Sequence, residues 1–420
     1  MLSYAMRDDD GGPCRSDGGP SLDEASLPLV IATIFREEGS TGVHTHVRQL
    51  RLYLEEGGTT TTLVTPFSWG RPLTYLVFAP RLVLERPSGP ASVVWYRHWH
   101  EVFLRNALRS RLAEIGDCVV YAQGPLEARA ALRARRGPHQ RVVMAVHFRV
   151  SQADEHAEPG REIRRDGTVF RAIRQFEREV ILQVDGLVYV SEWARDALLS
   201  WLPEAAEVPF AVIGNFVAPL RIEPDQKLLG DLVTSGKLEH RKNHRFLLDV
   251  LAEAKRAGRS LTLDVFGEGP LRKDLLQLAR SLDLQGQVRF HGFRRDVADF
   301  LPGYRAYVHA SYSETSSLAI IEAMAAGLPI VAGNIGPISE LCDEGVEARF
   351  WPLDDPARAA AMLIDLLDNE PARLMAASAA SERFRRDFDA GLIAPRLHAF
   401  LLGLHPPAPG GVSPRVSDPR

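Results

Sequence analysis

Short apolar runs alternate with longer stretches of helical spacing along most of the chain, most regularly in the second half. DLVTSG (231–236) is a brief apolar run closed by Gly. HRFLLDVLAEAKRAG (244–258) spaces its apolar residues as a helix and stops on Gly258. LTLDVFG (261–267), VRFHG (288–292) and RAYVHAS (305–311) predict strands. LRKDLLQLARSLDL (271–284) and DVADFL (296–301) predict the helices between them, and LPIVAG (328–333) a further strand. The first half repeats the pattern less evenly. PLVIATIF (28–35), TTTTLVTPF (59–67), DCVVYAQG (117–124), RVVMAVHF (141–148) and LVYVS (187–191) predict strands, and AVIGNFV (211–217) closes the half. VHTHVRQLRLYLEEGG (43–58) predicts a helix with a Gly stop, and Ser191 is placed to cap a helix that begins EWARDALL.

This β-α-β order argues for parallel sheets covered by helices on both faces. The expectation is an α/β protein of two doubly wound, Rossmann-like domains facing across a cleft, one at 27–215 and one at 231–387. The segment 216–230, with Pro219 and Pro224, reads as the linker. Residues 1–26 and 405–420 read as disordered tails, and Asp8, Asp9 and Asp10 as solvated charge rather than a metal site. Ligands of such domains bind at the carboxyl ends of the strands.

Composition narrows the classes of function. A net charge of -4 in 420 residues gives no reason to expect nucleic acid. Cys14, Cys118 and Cys342 fit neither a zinc site nor a disulfide framework, so a reducing, cytoplasmic setting is expected. No apolar run approaches the roughly 20 residues of a membrane span. Only five of the 50 basic residues are lysines, and all five lie in the second half. Between Leu27 and Asn215, Arg slightly outnumbers Asp plus Glu, a mild positive excess. That suits an anionic acceptor or peripheral contact with the inner membrane face, and ordinary surface charge suits it equally.

The stretch SETSSLAIIEAMAAGLPIVA (313–332) places Glu314 in a strand-to-helix loop and Glu322 two turns into a helix that ends at Gly327. Thr315, Ser316 and Ser317 are good cap residues, and the amides before Leu318 form an anion site. Eight helical residues rise about 12 Å. The two carboxylates are therefore too far apart to flank one glycosidic bond, and they suit two ends of an elongated ligand. Glu322 lies among Ile320, Ile321, Ala323 and Met324, where an unpaired carboxylate is costly. Ribose hydroxyls would serve it; surface exposure or an Arg partner would serve as well. A diphosphate between a ribose and a polyhydroxylated group is a nucleotide sugar. SGKLEHRKN (235–243) adds Lys237 and Lys242, compact ammonium groups suited to a diphosphate. The glycines of VFGEGP, Gly267 among them, allow a tight turn. GSTGVHTHV (39–47) carries Gly42 into a helix, and His147 ends a strand at the expected cleft edge, where a structural role is also open.

Together these residues resemble the retaining glycosyltransferases of family 4, which have the GT-B fold, over about residues 28–400. Glu314 and Glu322 match the family's E-x7-E motif, Lys237 and Lys242 its basic pair, Gly42 its Gly-Gly loop and His147 its cleft histidine. Phe293 and Arg294, in HGFRRD, correspond to its nucleobase loop. Thr315-Ser316-Ser317 departs from the Gly-rich stretch frequent in the family. The resemblance implies transfer of a sugar, with retention, from a UDP- or GDP-sugar to a glycan, lipid-linked or small-molecule acceptor, with no cofactor and no divalent metal. Lys237, Lys242 and the helix start would stabilise the leaving diphosphate, Glu322 would hold the ribose, and Glu314 and His147 would act at the transferring sugar. It also implies that the last helix, within 388–402, returns to the first domain. An Arg-rich, Lys-poor chain fits a GC-rich bacterial genome and the biosynthesis of polysaccharide or natural products. Another enzyme of the same fold, such as an epimerase or phosphorylase, and an inactive binding subunit are the alternatives.

Overall fold

The computed structural model describes residues 27–37, 39, 41–68, 74, 77, 89–157, 163–221 and 227–403. Both expected tails, the aspartate triplet and part of the linker lie outside these residues.

Twelve strands form two six-stranded sheets among the described residues. The first holds β1 (Leu29–Ala32), β2 (Thr61–Val64), β3 (Cys118–Ala122), β4 (Gln140–Val146), β5 (Gly186–Tyr189) and β6 (Phe210–Val212), in the order β2-β1-β3-β4-β5-β6. The second holds β7 (Leu232–Ser235), β8 (Leu263–Phe266), β9 (Val288–Gly292), β10 (Ala306–His309), β11 (Ile330–Gly333) and β12 (Ala348–Trp351), in the order β12-β11-β10-β7-β8-β9. All ten pairings are parallel. The architecture is thus the two-domain α/β fold of GT-B proteins.

Alternation along each strand fills both faces of each sheet. In β1, Val30 and Ala32 join one core with Val120 and Met144, while Leu29 and Ile31 join another with Val119 and Ala145. In the second sheet Leu232 and Val265 face one core and Val233 and Phe266 the other. A parallel sheet covered on both faces requires such runs of apolar residues. Two elements carry no clear strand or helix signal of this kind, the helix Gly89–Ile115 and β12, whereas β6 lies at the start of AVIGNFV.

Strand order places the site. In the second sheet neighbours β7 and β10 run out to opposite sides, so a crevice opens beyond their carboxyl ends. Gly236 and Lys237 follow β7, and Ser311 to Leu318 follow β10. In the first sheet the same reversal lies between β1 and β3, which lead to Thr33 and Gln123.

The helix Ala390–Leu401 packs on the first sheet. Ile393, Ala394, Leu397 and Leu401 are buried with Leu29, Ile31 and Leu50. It is tied beside the other crossing of the chain, where Val217 N donates to Phe388 O (3.2 Å) and Ala390 N to Val217 O (3.0 Å). Leu397 has no exposed surface. Leu397→Ala should therefore destabilise the first sheet by about 2–5 kcal/mol, seen as a lower urea midpoint for Trp and Tyr fluorescence. An unchanged midpoint would mean that this helix is not part of that core.

Candidate active site

A cavity of about 940 Å³ lies between the two sheets. Its walls include Gly42, His147, Lys237, Lys242, Gly267, Phe293, Arg294, Glu314, Thr315, Ser316, Ser317, Leu318 and Glu322, so the structure brings every residue singled out above to one cavity.

Glu314 is 5% exposed and ionic. Burial alone would raise its pKa, but Lys242, His309 and Arg241 hold it well below the usual carboxylate range. Lys242 Nζ donates to Oε1 at 2.6 Å and His309 Nε2 meets the same oxygen at 3.2 Å, while Arg241 Nη1 donates to Oε2 at 2.9 Å. Both oxygens are thus engaged by protein groups, where the resemblance gives them to sugar hydroxyls. Lys237 is half exposed and paired with Glu239 (3.1 Å).

Glu322 is the opposite case. Its carboxylate is half-buried, lines the cavity and has no hydrogen bond or ion pair among the described residues. Burial pushes its pKa up to about 7, offset only by the field of Arg48. Of the alternatives, Glu322 is only partly exposed, and the nearby Arg, Arg48, acts on it through its charge without a hydrogen bond or ion pair among the described residues.

The helix Leu318–Ala325 begins at Ser317, whose hydroxyl makes no capping bond. Ser316 Oγ and Ser317 Oγ are both buried and without a partner. The cap expected there is therefore absent, and the helix start faces the cavity with its amides uncapped by side chains. Thr315 does something else: its hydroxyl donates across the cleft to His147 O (3.1 Å), and its carbonyl accepts from Ser191 Oγ (2.8 Å). Ser191 also caps the helix Glu192–Leu199 through Ala194 N (3.1 Å). Gly42 faces the same helix start, for a Cβ there would lie 3.5 Å from Leu318 Cδ1.

Gly267 is required by packing. Its φ is +151° and an added Cβ would lie 1.8 Å from Gly236 O, which presses the turns after β7 and β8 together. Phe293 is exposed on the wall, and Arg294 is paired with Asp296 (2.6 Å) while lying over Phe300 (4.4 Å).

His147 is neutral: burial, and next the nearby His46, push its pKa well down. Its tautomer follows from Gln123. With its nitrogen towards Tyr121 O (3.5 Å), that amide sets its oxygen against His147 Nε2 (3.0 Å), the arrangement in which Nε2 donates. The Nδ1 lone pair remains as a hydrogen-bond acceptor.

Arg241, His309, Glu239 and Gln123 are the groups that sequence reading missed. His309 had a signal, a polar residue at the end of a buried strand five residues before Glu314. Arg241 had little, since one Arg among so many is not distinctive.

The raised pKa of Glu322 has a consequence for stability. Ionising this carboxylate is harder in the folded chain than in the unfolded one. Its cost is absent below about pH 4.5, grows as pH rises and is full above about pH 7. Glu322→Gln should therefore raise the melting temperature at pH 8, by a gain worth about 1–3 kcal/mol, and lose that advantage towards pH 4.5. A melting temperature equal to the parent's at pH 8 would contradict this.

Residues 230–369 match the family described as "Glycosyl transferases group 1", and residues 40–220 that described as "Glycosyltransferase Family 4". Glycogen synthase of Mycobacterium tuberculosis is 28% identical over 228 residues, 53% of this chain and 55% of that protein. Alpha-monoglucosyldiacylglycerol synthase of Streptococcus pneumoniae is 26% identical over 206 residues, 44% of this chain and 46% of that one. The chain thus spans about half the length of the curated relatives it matches. Among solved structures, Anabaena HepE in complex with UDP-glucose has a TM-score of 0.66 at 19% identity, over 90% of this chain and 100% of that one. Sucrose-phosphate synthase from Thermosynechococcus elongatus has a TM-score of 0.70 at 17% identity, over 89% and 98%. Each half of the chain is thus similar to a glycosyltransferase family, and the fold is that of GT-B structures.

Proposed function

We propose that the protein is a retaining glycosyltransferase that moves a sugar from a nucleoside diphosphate sugar to a hydroxylated acceptor. The observation that carries this is Glu322: a half-buried carboxylate with no hydrogen bond or ion pair among the described residues, facing the same cavity as an uncapped helix start and two lysines. A ribose on Glu322 leaves its diphosphate to the helix amides, Lys237 and Lys242, and the sugar to the space beside Glu314 and His147. Charge that develops on the leaving diphosphate is then met by donors already in place. UDP is the preferred donor nucleotide, supported by the UDP-glucose bound to the HepE neighbour and the UDP and GlcNAc bound to a pneumococcal O-GlcNAc transferase neighbour.

His147 Nδ1 can accept a hydrogen bond from a sugar hydroxyl, and Gln123 keeps it an acceptor. Retention is supported by the E-x7-E resemblance. Glu314 is held by three donors, so it acts as a fixed negative charge beside the transferring sugar rather than as an attacking nucleophile. The acceptor enters against the first domain, where its Arg-rich surface offers contact to an anionic or membrane-borne molecule. No described helix is long and apolar enough to cross a membrane. The diphosphate's counter-charges are the two lysines, so turnover proceeds without a divalent cation.

Glu322→Ala should weaken UDP binding by about 10- to 100-fold, the worth of a hydrogen bond to a charged group. Glu314→Ala should leave UDP binding intact, because it releases Lys242, while turnover falls. Isothermal titration with UDP and GDP, and nucleotide release with and without acceptor, read both. Loss of UDP binding in Glu314→Ala but not in Glu322→Ala would reverse the roles. Release of nucleoside diphosphate only with acceptor marks a transferase; none at all marks a binding subunit.

EDTA should leave the rate unchanged while Lys242→Ala lowers it at least tenfold, about 1.4 kcal/mol or more. Loss of turnover in EDTA with recovery in Mg²⁺ or Mn²⁺ would overturn the metal-free reading.

A further inference from the structure

The ion pairs on the floor of the cleft alternate in sign along one line. Lys237 Nζ lies 3.1 Å from Glu239 Oε2, and Arg241 Nη2 3.2 Å from Glu239 Oε1. Arg241 Nη1 then lies 2.9 Å from Glu314 Oε2, and Lys242 Nζ 2.6 Å from Glu314 Oε1. Three cations serve two carboxylates. The lysines stand at the two ends, each a point charge on a flexible stem. Arg241 stands in the middle with its fork shared between both acids, and a further bond to Ser313 O (2.8 Å) ties it to the backbone.

A diphosphate meets the two ends of this line. Each lysine that turns to a phosphate oxygen takes charge from its carboxylate, Lys237 from Glu239 and Lys242 from Glu314. Arg241 cannot follow without breaking three bonds. We propose that Arg241 is the positioning residue that keeps Glu314 ionised and in place when a nucleoside diphosphate draws Lys237 and Lys242 away. The proposal rests on the nucleotide-sugar reading above.

The other groups around Glu314 cannot take over this task. From the turn His240–Lys242 come Arg241 and Lys242, and from β10 comes His309. Burial pushes the His309 pKa below its ordinary value even beside Glu314. His244, on the helix His244–Arg256, is driven down to about 3 by burial and by Lys242. Neither imidazole brings a charge at neutral pH. Glu239, and Glu155 from across the cleft, act on Arg241 and not as cations. A carboxylate this deeply buried that loses its cations takes up a proton.

Proton uptake on nucleotide binding tests this without a known acceptor. UDP is titrated calorimetrically into the full chain at pH 7, in buffers of different ionisation enthalpy. Arg241→Gln should bind UDP with up to about one proton more than the parent, while Arg241→Lys should restore the parent's value. The extra proton should vanish in the double variant Arg241→Gln with Glu314→Gln. Equal uptake in Arg241→Gln and the parent, with UDP bound by both, would overturn the proposal. Extra uptake that persists without the Glu314 carboxylate would overturn it as well. If the parent binds neither UDP nor GDP, the nucleotide-sugar reading fails first, and this inference falls with it.

Discussion

A carboxylate buried as deeply as Glu314 is tolerable only with cations and hydrogen bonds around it, and much of the cleft is built to that demand. An ionised group removed from water costs several kcal/mol even after relaxation. Three donors offset this here: Lys242, Arg241 and His309. Each is delivered by an element whose position the sheet order dictates. His309 ends β10, and the turn His240–Lys242 follows β7, its neighbour in the sheet. Had those strands not been adjacent, the acid and its cations could not meet. Glu239 then balances the excess positive charge and brings Lys237 into the same network.

Glu314 and Glu322 therefore differ in kind, although the sequence shows only their spacing of eight. Glu314 is fully engaged before any ligand arrives. Glu322, two turns on, has no hydrogen bond or ion pair among the described residues and bears a raised pKa. One is a fixed charge and the other an open acceptor. A ligand that spans both meets a rigid negative end and a group that gains hydrogen bonds only when occupied. The uncapped hydroxyls of Ser316 and Ser317 lie between, so the middle of the span offers donors that the protein leaves unused.

The fold was legible because parallel strands buried on both faces must be apolar throughout, as VVMAV and LVIA are, and because glycines punctuate the helices. The edge strand β12 was harder to read, because Arg349 interrupts it and it shows no continuous apolar run. The helix Gly89–Ile115 escaped because His, Trp, Arg and Tyr are spread around it, with Arg97 and His100 themselves buried. The residues of the site were legible where a motif joined them, as for Glu314, Glu322 and the lysines. Gln123 was not, since it acts through His147, 24 residues away, and no motif joins the two. That information lies in which strand ends become neighbours, and spacing alone does not carry it.

The segment that holds the buried charge also joins the domains. Thr315, next to Glu314, donates to the carbonyl of His147 and accepts from Ser191, both in the first domain. Nearby, Glu340 receives the amides of Glu192 (3.0 Å) and Trp193 (2.6 Å) at a helix start across the cleft. Each such bond contributes only about 0.5–1.5 kcal/mol, somewhat more where the carboxylate is the acceptor. Contacts of this size join the two domains without locking them. Because the bonds of Thr315 are made by the backbone and side chain that follow Glu314, opening the cleft pulls on the loop that places Glu314. The charge arrangement and the contact between the domains are therefore one condition: the loop that places Glu314 is fully tied only when the first domain supplies His147 and Ser191 to its neighbour.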